Sequence, residues 1–105
     1  MVSTRAHAIV VNGKVYRNSI VTYSTEDYSF SPIITPFTTE SHSTTSFNGI
    51  IIIAPESFSL PVKLMYTQGL LSGELYTEYL NALANVVPPL NKAKDDRYTL
   101  IHILF

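Results

Sequence analysis

The chain has 105 residues, 46% hydrophobic and 14% charged, with a formal net charge of −1 and no cysteine. These figures exclude a disulfide framework, a thiolate metal site and a cysteine nucleophile, and seven Lys+Arg against eight Asp+Glu leave no basic footprint for nucleic acid. The longest apolar run, Ile50 to Pro55, is far short of the roughly 20 residues that span a bilayer, and the apolar stretch Ala8 to Val11 is too short for a signal-peptide core. The expectation is one cytoplasmic domain over residues 1–105, without membrane or nucleic-acid partners. Its charged fraction lies well below the roughly 25% of ordinary soluble domains. At roughly 5,900 Å² of folded surface, that sparseness leaves only about two charges under an interface of standard size. A charge-poor patch suited to a homo-oligomer or protein partner is therefore expected.

Taken in chain order, His7-Ala8-Ile9-Val10-Val11 is rich in β-branched residues and leads into Asn12-Gly13, after which Lys14-Val15-Tyr16 resumes a strand pattern. Asn and Gly tolerate the positive φ angles of a type I′ turn, so a hairpin is predicted. Arg17-Asn18-Ser19 reads as a second turn before a third strand, Ile20 to Tyr23. Tyr28 to Thr35 is interrupted by Pro32, which lacks the ladder N–H and marks an edge strand or two short pieces. Pro36 to Ser46 is polar except for Phe37, and reads as a loop or an exposed strand. Asn48-Gly49 repeats the turn signal, and Ile50 to Ala54 has no polar alternation, so it should be covered on both faces.

An amphipathic helix is predicted over 72–87. Leu75, Tyr76, Tyr79, Leu80, Leu83, Val86 and Val87 fall on one side of the helical wheel, Ser72 suits the N-cap, and Pro88-Pro89 ends the helix. Residues 91–97 read as a charged loop, and Tyr98 to Phe105 as a closing strand. Strands first and one late helix imply a mostly β (α+β) fold, an antiparallel sheet or small β-sandwich with the helix on one face or end.

Signals for chemistry are sparse. His7, His42 and His102 are widely spaced and carry no His-x-His or His-Glu-x-x-His pattern. Glu40-Ser41-His42-Ser43-Thr44-Thr45-Ser46 is the densest polar group, and as a strand it would place Glu40, His42, Thr44 and Ser46 on one face as a weak metal or phosphate site, joined by His7 or His102. Its plainer reading is a solvated Ser/Thr segment. Glycine-rich phosphate loops and the nucleophile elbow are absent, so no catalytic, metal or cofactor residue is assigned. Seven tyrosines without accompanying Lys/Arg suit core and interface area better than base stacking. Tyr76, Tyr79, Tyr98, Ile101 and Ile103 are the candidate interaction residues, alongside strand addition at an edge.

Ala6-His7-Ala8-Ile9-Val10-Val11-Asn12-Gly13-Lys14-Val15-Tyr16 resembles the first hairpin of amidohydrolase-superfamily enzymes, in which a small composite β-sandwich flanks a catalytic barrel. The resemblance implies a sandwich-like module without the barrel, which needs about 250 residues. That family's His-x-His ligands have no counterpart, since Ser41-His42-Ser43-Thr44 offers a single histidine. No catalytic residue of the family carries over. A non-enzymatic, self-associating β-rich module is the leading expectation, with a small-molecule or metal-binding domain using Glu40 to Ser46 as the alternative and peptide binding by strand addition as the third.

Overall fold

The computed structural model describes residues 2–24, 32–37, 45–61, 73–90 and 97–104. Two ten-residue strands, β1 (Val2–Val11) and β2 (Lys14–Tyr23), form an antiparallel hairpin in register from Val11↔Lys14 to Val2↔Tyr23. Asn12 (φ 53°) and Gly13 (φ 75°) make the predicted turn with positive φ at both central residues. The hairpin continues into an open six-stranded sheet with the order β3-β2-β1-β5-β6, where β3 is Ile33–Pro36, β5 is Gly49–Pro55 and β6 is Tyr98–Leu104. The two-residue β4 (Thr45–Ser46) also lies beside β1. The fold is mostly β, with one helix among the described residues, α1 (Gly73–Val86).

The sheet is not wholly antiparallel. Both β4 and β5 run parallel to β1, while β6 returns antiparallel on β5. Local turn signals cannot reveal such a pairing, because its partners are more than 40 residues apart. Its consequence is legible in the residues: β1 and β5 are interior strands, and Ala8, Ile9, Val10 and Ile50 to Ala54 are all 0% exposed. A strand covered on both faces has no reason to alternate polar with apolar.

One face carries α1. Tyr79, Leu80, Leu83 and Val87 pack there with Ala8, Val10, Ile50, Ile52, Ala54 and Ile103, joined by Leu60. The helix is tilted relative to the predicted apolar stripe. Leu75 and Val86, about 20° apart on the wheel, lie on its exposed flank at 58% and 41% exposure. Arg17 fixes the other flank, donating from Nη2 to Thr77 Oγ1 at 2.8 Å while its guanidinium lies 5.2 Å from the Tyr76 ring centre. Beyond Pro88-Pro89 the Leu90 N–H donates to Asn12 Oδ1 at 2.8 Å, so the hairpin turn also receives the chain leaving the helix. On the second face Ile9, Val11, Ile51, Ile53 and Tyr98 are buried together, with Tyr23, Ile34, Phe47, Leu90 and Leu100 around them.

Two expected turns are absent as reversals. Arg17-Asn18-Ser19 does not end a strand: β2 runs through it, but Asn18 is left-handed (φ 47°) and the His7–Asn18 step drops out of an otherwise continuous register. Asn tolerates that conformation better than most residues, which explains how turn chemistry here gives a bend. Asn48-Gly49 is likewise no hairpin. From Ser46 to Ile50 the chain takes four steps while β1 takes three from Arg5 to Ala8, so one extra residue bulges between β4 and β5. Gly49 is required there because a Cβ would strike the Ile103 carbonyl oxygen and the Phe47 ring.

The irregularities line up across the sheet. Ala6 and Ala8 are two apart on one strand, as are members of the series Val15 to Val21, and each set should share a face. Yet Ala8 and Val15 belong to the helix-side core, whereas Ala6 and Val21 belong to the opposite one. The hairpin therefore exchanges its faces at His7 and Asn18.

Candidate functional site

Of the residues singled out in the sequence, Glu40, His42 and Thr44 lie outside the described residues. Tyr79, Tyr98 and Ile103 are buried within the chain's own two cores, Tyr76 is half-buried on α1, and Ile101 is half-buried on β6. Burial holds the Tyr79 phenol above its ordinary pKa and does the same for Tyr76, where the Arg17 charge partly opposes it. Both phenols stay protonated at neutral pH. Among the described residues no three His, Asp or Glu side chains gather as a metal-ligand set. His7 bonds Asn48 Oδ1 through Nε2 at 2.8 Å, and His102 instead packs edge-on to Phe47 with ring centres 4.9 Å apart.

The last strand in the order, β6, supplies the most distinctive surface. Its inner side is fixed by β5 in a register from Gly49↔Leu104 to Pro55↔Tyr98. The Glu56 N–H donates to the Arg97 carbonyl at 2.9 Å, which sets the alternation of this antiparallel ladder. Arg97, Thr99, Ile101 and Ile103 direct their backbone groups at β5, and Tyr98, Leu100, His102 and Leu104 direct theirs at the outer edge. Pro55 fits this pattern, since it sits opposite Tyr98 where the ladder asks for no N–H. Among the described strands none pairs with that outer edge.

A cavity of about 460 Å³ adjoins the same strand, lined by Tyr98, Thr99, Leu100 and His102 together with Tyr23, Glu56 and Arg97. Tyr98, Leu100 and His102 share its face because they alternate along β6. His102 is exposed on the strand, yet desolvation of its ring lowers its pKa from the ordinary histidine value, so the imidazole is uncharged at neutral pH. Glu56 and Arg97 bring one charge of each sign to the mouth. The strand itself, Tyr98 to Leu104, contains no Asp, Glu, Lys, Arg or Pro.

Sequence reasoning reached β6 as a closing strand but missed Leu100 and His102 as the residues with outward-facing backbone. It also passed over Tyr23, Glu56 and Arg97, which reach the cavity from three separate segments. Pro55 was the available signal for the ladder's phase, once its pairing with Tyr98 is known.

No protein-family model, curated protein or solved structure matches this chain.

Proposed function

We propose that this chain is a non-enzymatic interaction module that self-associates by antiparallel pairing of β6 with β6 of a second copy. The observation that carries the reading is the row of outward backbone groups along β6, at Leu100, His102 and Leu104, on a sheet edge with no proline or formal charge to discourage addition. A second copy is favoured as occupant because the strand complements itself. With Ile101 on the two-fold axis, Tyr98 faces Leu104 and Leu100 faces His102 of the partner copy. All four outward-facing residues then sit in hydrogen-bonded pairs, and shifting the register by one pair leaves one of them unmatched. No like charges meet along the strand, and the net charge of −1 per copy adds little repulsion.

The test is sedimentation of the intact chain across a dilution series, beside His102→Pro. That substitution removes an outward N–H and leaves the β5 ladder in place. A wild-type dimer that His102→Pro converts to a folded monomer is the expected result. A wild-type monomer at every concentration sinks the proposal, as does a dimer indifferent to the substitution. A monomer that nevertheless binds extended peptides would move the edge to heterologous strand addition.

A further inference from the structure

The bend shared by β1, β2 and the β4–β5 junction borders a second, solvent-open cavity of about 260 Å³, lined by Arg5, His7, Asn18, Ser46, Phe47 and Asn48 among others. We propose that it binds a small oxyanion, the carboxylate or phosphate group of a ligand.

Arg5 Nε donates to Asn18 Oδ1 at 3.0 Å, and its guanidinium carbon lies 3.8 Å from the Phe37 ring centre. One edge and one face of the guanidinium are thus engaged, which fixes its plane and leaves the terminal fork of two Nη groups for a ligand. Arginine only donates, so the end of Asn18 that faces it is the carbonyl oxygen, and the remaining end is an NH2 donor. Asn48 has the same polarity, because its Oδ1 is engaged by His7 Nε2 at 2.8 Å.

Both amides have therefore committed their acceptors inside the protein. What the two amides add to the cavity wall is donors, and the Ser46 hydroxyl can donate as well, beside a fixed cation and with no Asp or Glu among the described lining residues. A surface of donors around a positive charge recognises a group that only accepts, which is the chemistry of a carboxylate or phosphate. The volume falls below that of sites for drug-sized ligands, roughly 300–1,000 Å³, and suits a head group. The backbone supports the arrangement. Left-handed Asn18 and the extra residue before Ile50 are the irregularities that bring these side chains together from three segments.

The test is titration of the full chain with sodium acetate and, separately, inorganic phosphate, at ionic strength held constant with chloride. Side-chain NH2 resonances of Asn18 and Asn48 are followed by NMR. Saturable shifts are expected, and Arg5→Gln should weaken binding about tenfold or more. Asn18→Asp is the second variant. It keeps an acceptor for Arg5 and a residue tolerant of positive φ, yet places a carboxylate where the anion would sit, so it should weaken binding as well. The anion that binds more tightly identifies the head group. Absence of saturable shifts with both anions overturns the proposal, as does unchanged affinity in the folded variants.

Discussion

The two outer strands of the sheet, β3 and β6, are built on opposite principles. Strand β3 has four residues, and its ladder to β2 is phased by the Phe37 N–H donating to the Asn18 carbonyl at 3.1 Å. That phase points the backbone of residue 36 away from β2, and the residue is proline, with Pro32 at the equivalent position just before the strand. The edge is thus short and lacks an N–H where a newcomer would look for one. Strand β6 has seven residues and neither device. The difference teaches that edge protection is placed by ladder phase: a proline guards an edge only on the residues that face outward.

This contrast is open to direct attack. The largest effect is expected from Thr99→Pro, one of the inward-facing positions of β6, opposite Ala54. It removes an N–H from the β5 ladder and should cost about 3 kcal/mol or more in a urea melt. His102→Pro, on the outward phase of the same strand, should cost far less when both chains are melted at a dilution where the parent is monomeric; similar losses at both positions would refute the phase. Next comes Gly49→Ala, which drives a Cβ into the Ile103 carbonyl and the Phe47 ring. A loss of about 1–3 kcal/mol is expected, with hydrogen exchange quickening first at the Leu104 end of β6.

A smaller effect concerns acid. His102 has a lowered pKa in the folded chain because charging it there costs solvation. The unfolded chain keeps the ordinary value near 6.5 and takes up the proton first as pH falls. The contribution to stability is full above that value and is lost as pH drops below it toward the folded pKa. Thermal midpoints measured between pH 7 and pH 5 should decline, and His102→Gln should flatten part of that decline. The smallest effect is Pro36→Thr, which supplies β3 with the missing outward donor. Stability should fall by less than about 1 kcal/mol, while sedimentation should reveal species larger than those of the parent chain.

Much of this was legible in the residues. Asn12-Gly13 specified the hairpin, Pro32 marked β3 as an edge, and the unalternating Ile50 to Ile53 announced a strand covered on both sides. What was not legible shares one cause. Asn18 and Asn48-Gly49 carry the chemistry of reversals, but neighbouring strands hold the chain straight through them, so the same φ preferences yield a bend and a bulge. The oxyanion cavity was hidden for the same reason. Arg5 looked unremarkable as a single residue, His7 was grouped with Glu40 and His42 instead, and neither Asn18 nor Asn48 suggested a site until the bend brought all four together. Proximity in sequence drew the eye to Glu40, His42 and Thr44; proximity in space required the parallel pairing of β1 with β5.

That parallel pairing also governs how the chain must assemble. Among the described strands, only the β1–β2 hairpin closes through a two-residue loop, an event on the microsecond scale. Ile9 meets Ile51 across 42 residues and Ile52 meets Ile101 across 49, so most of the sheet forms after long loops have closed. Folding should accordingly proceed at the slow, millisecond-to-second end of the range for small domains, paced by the arrival of β5 beside a hairpin that has already formed.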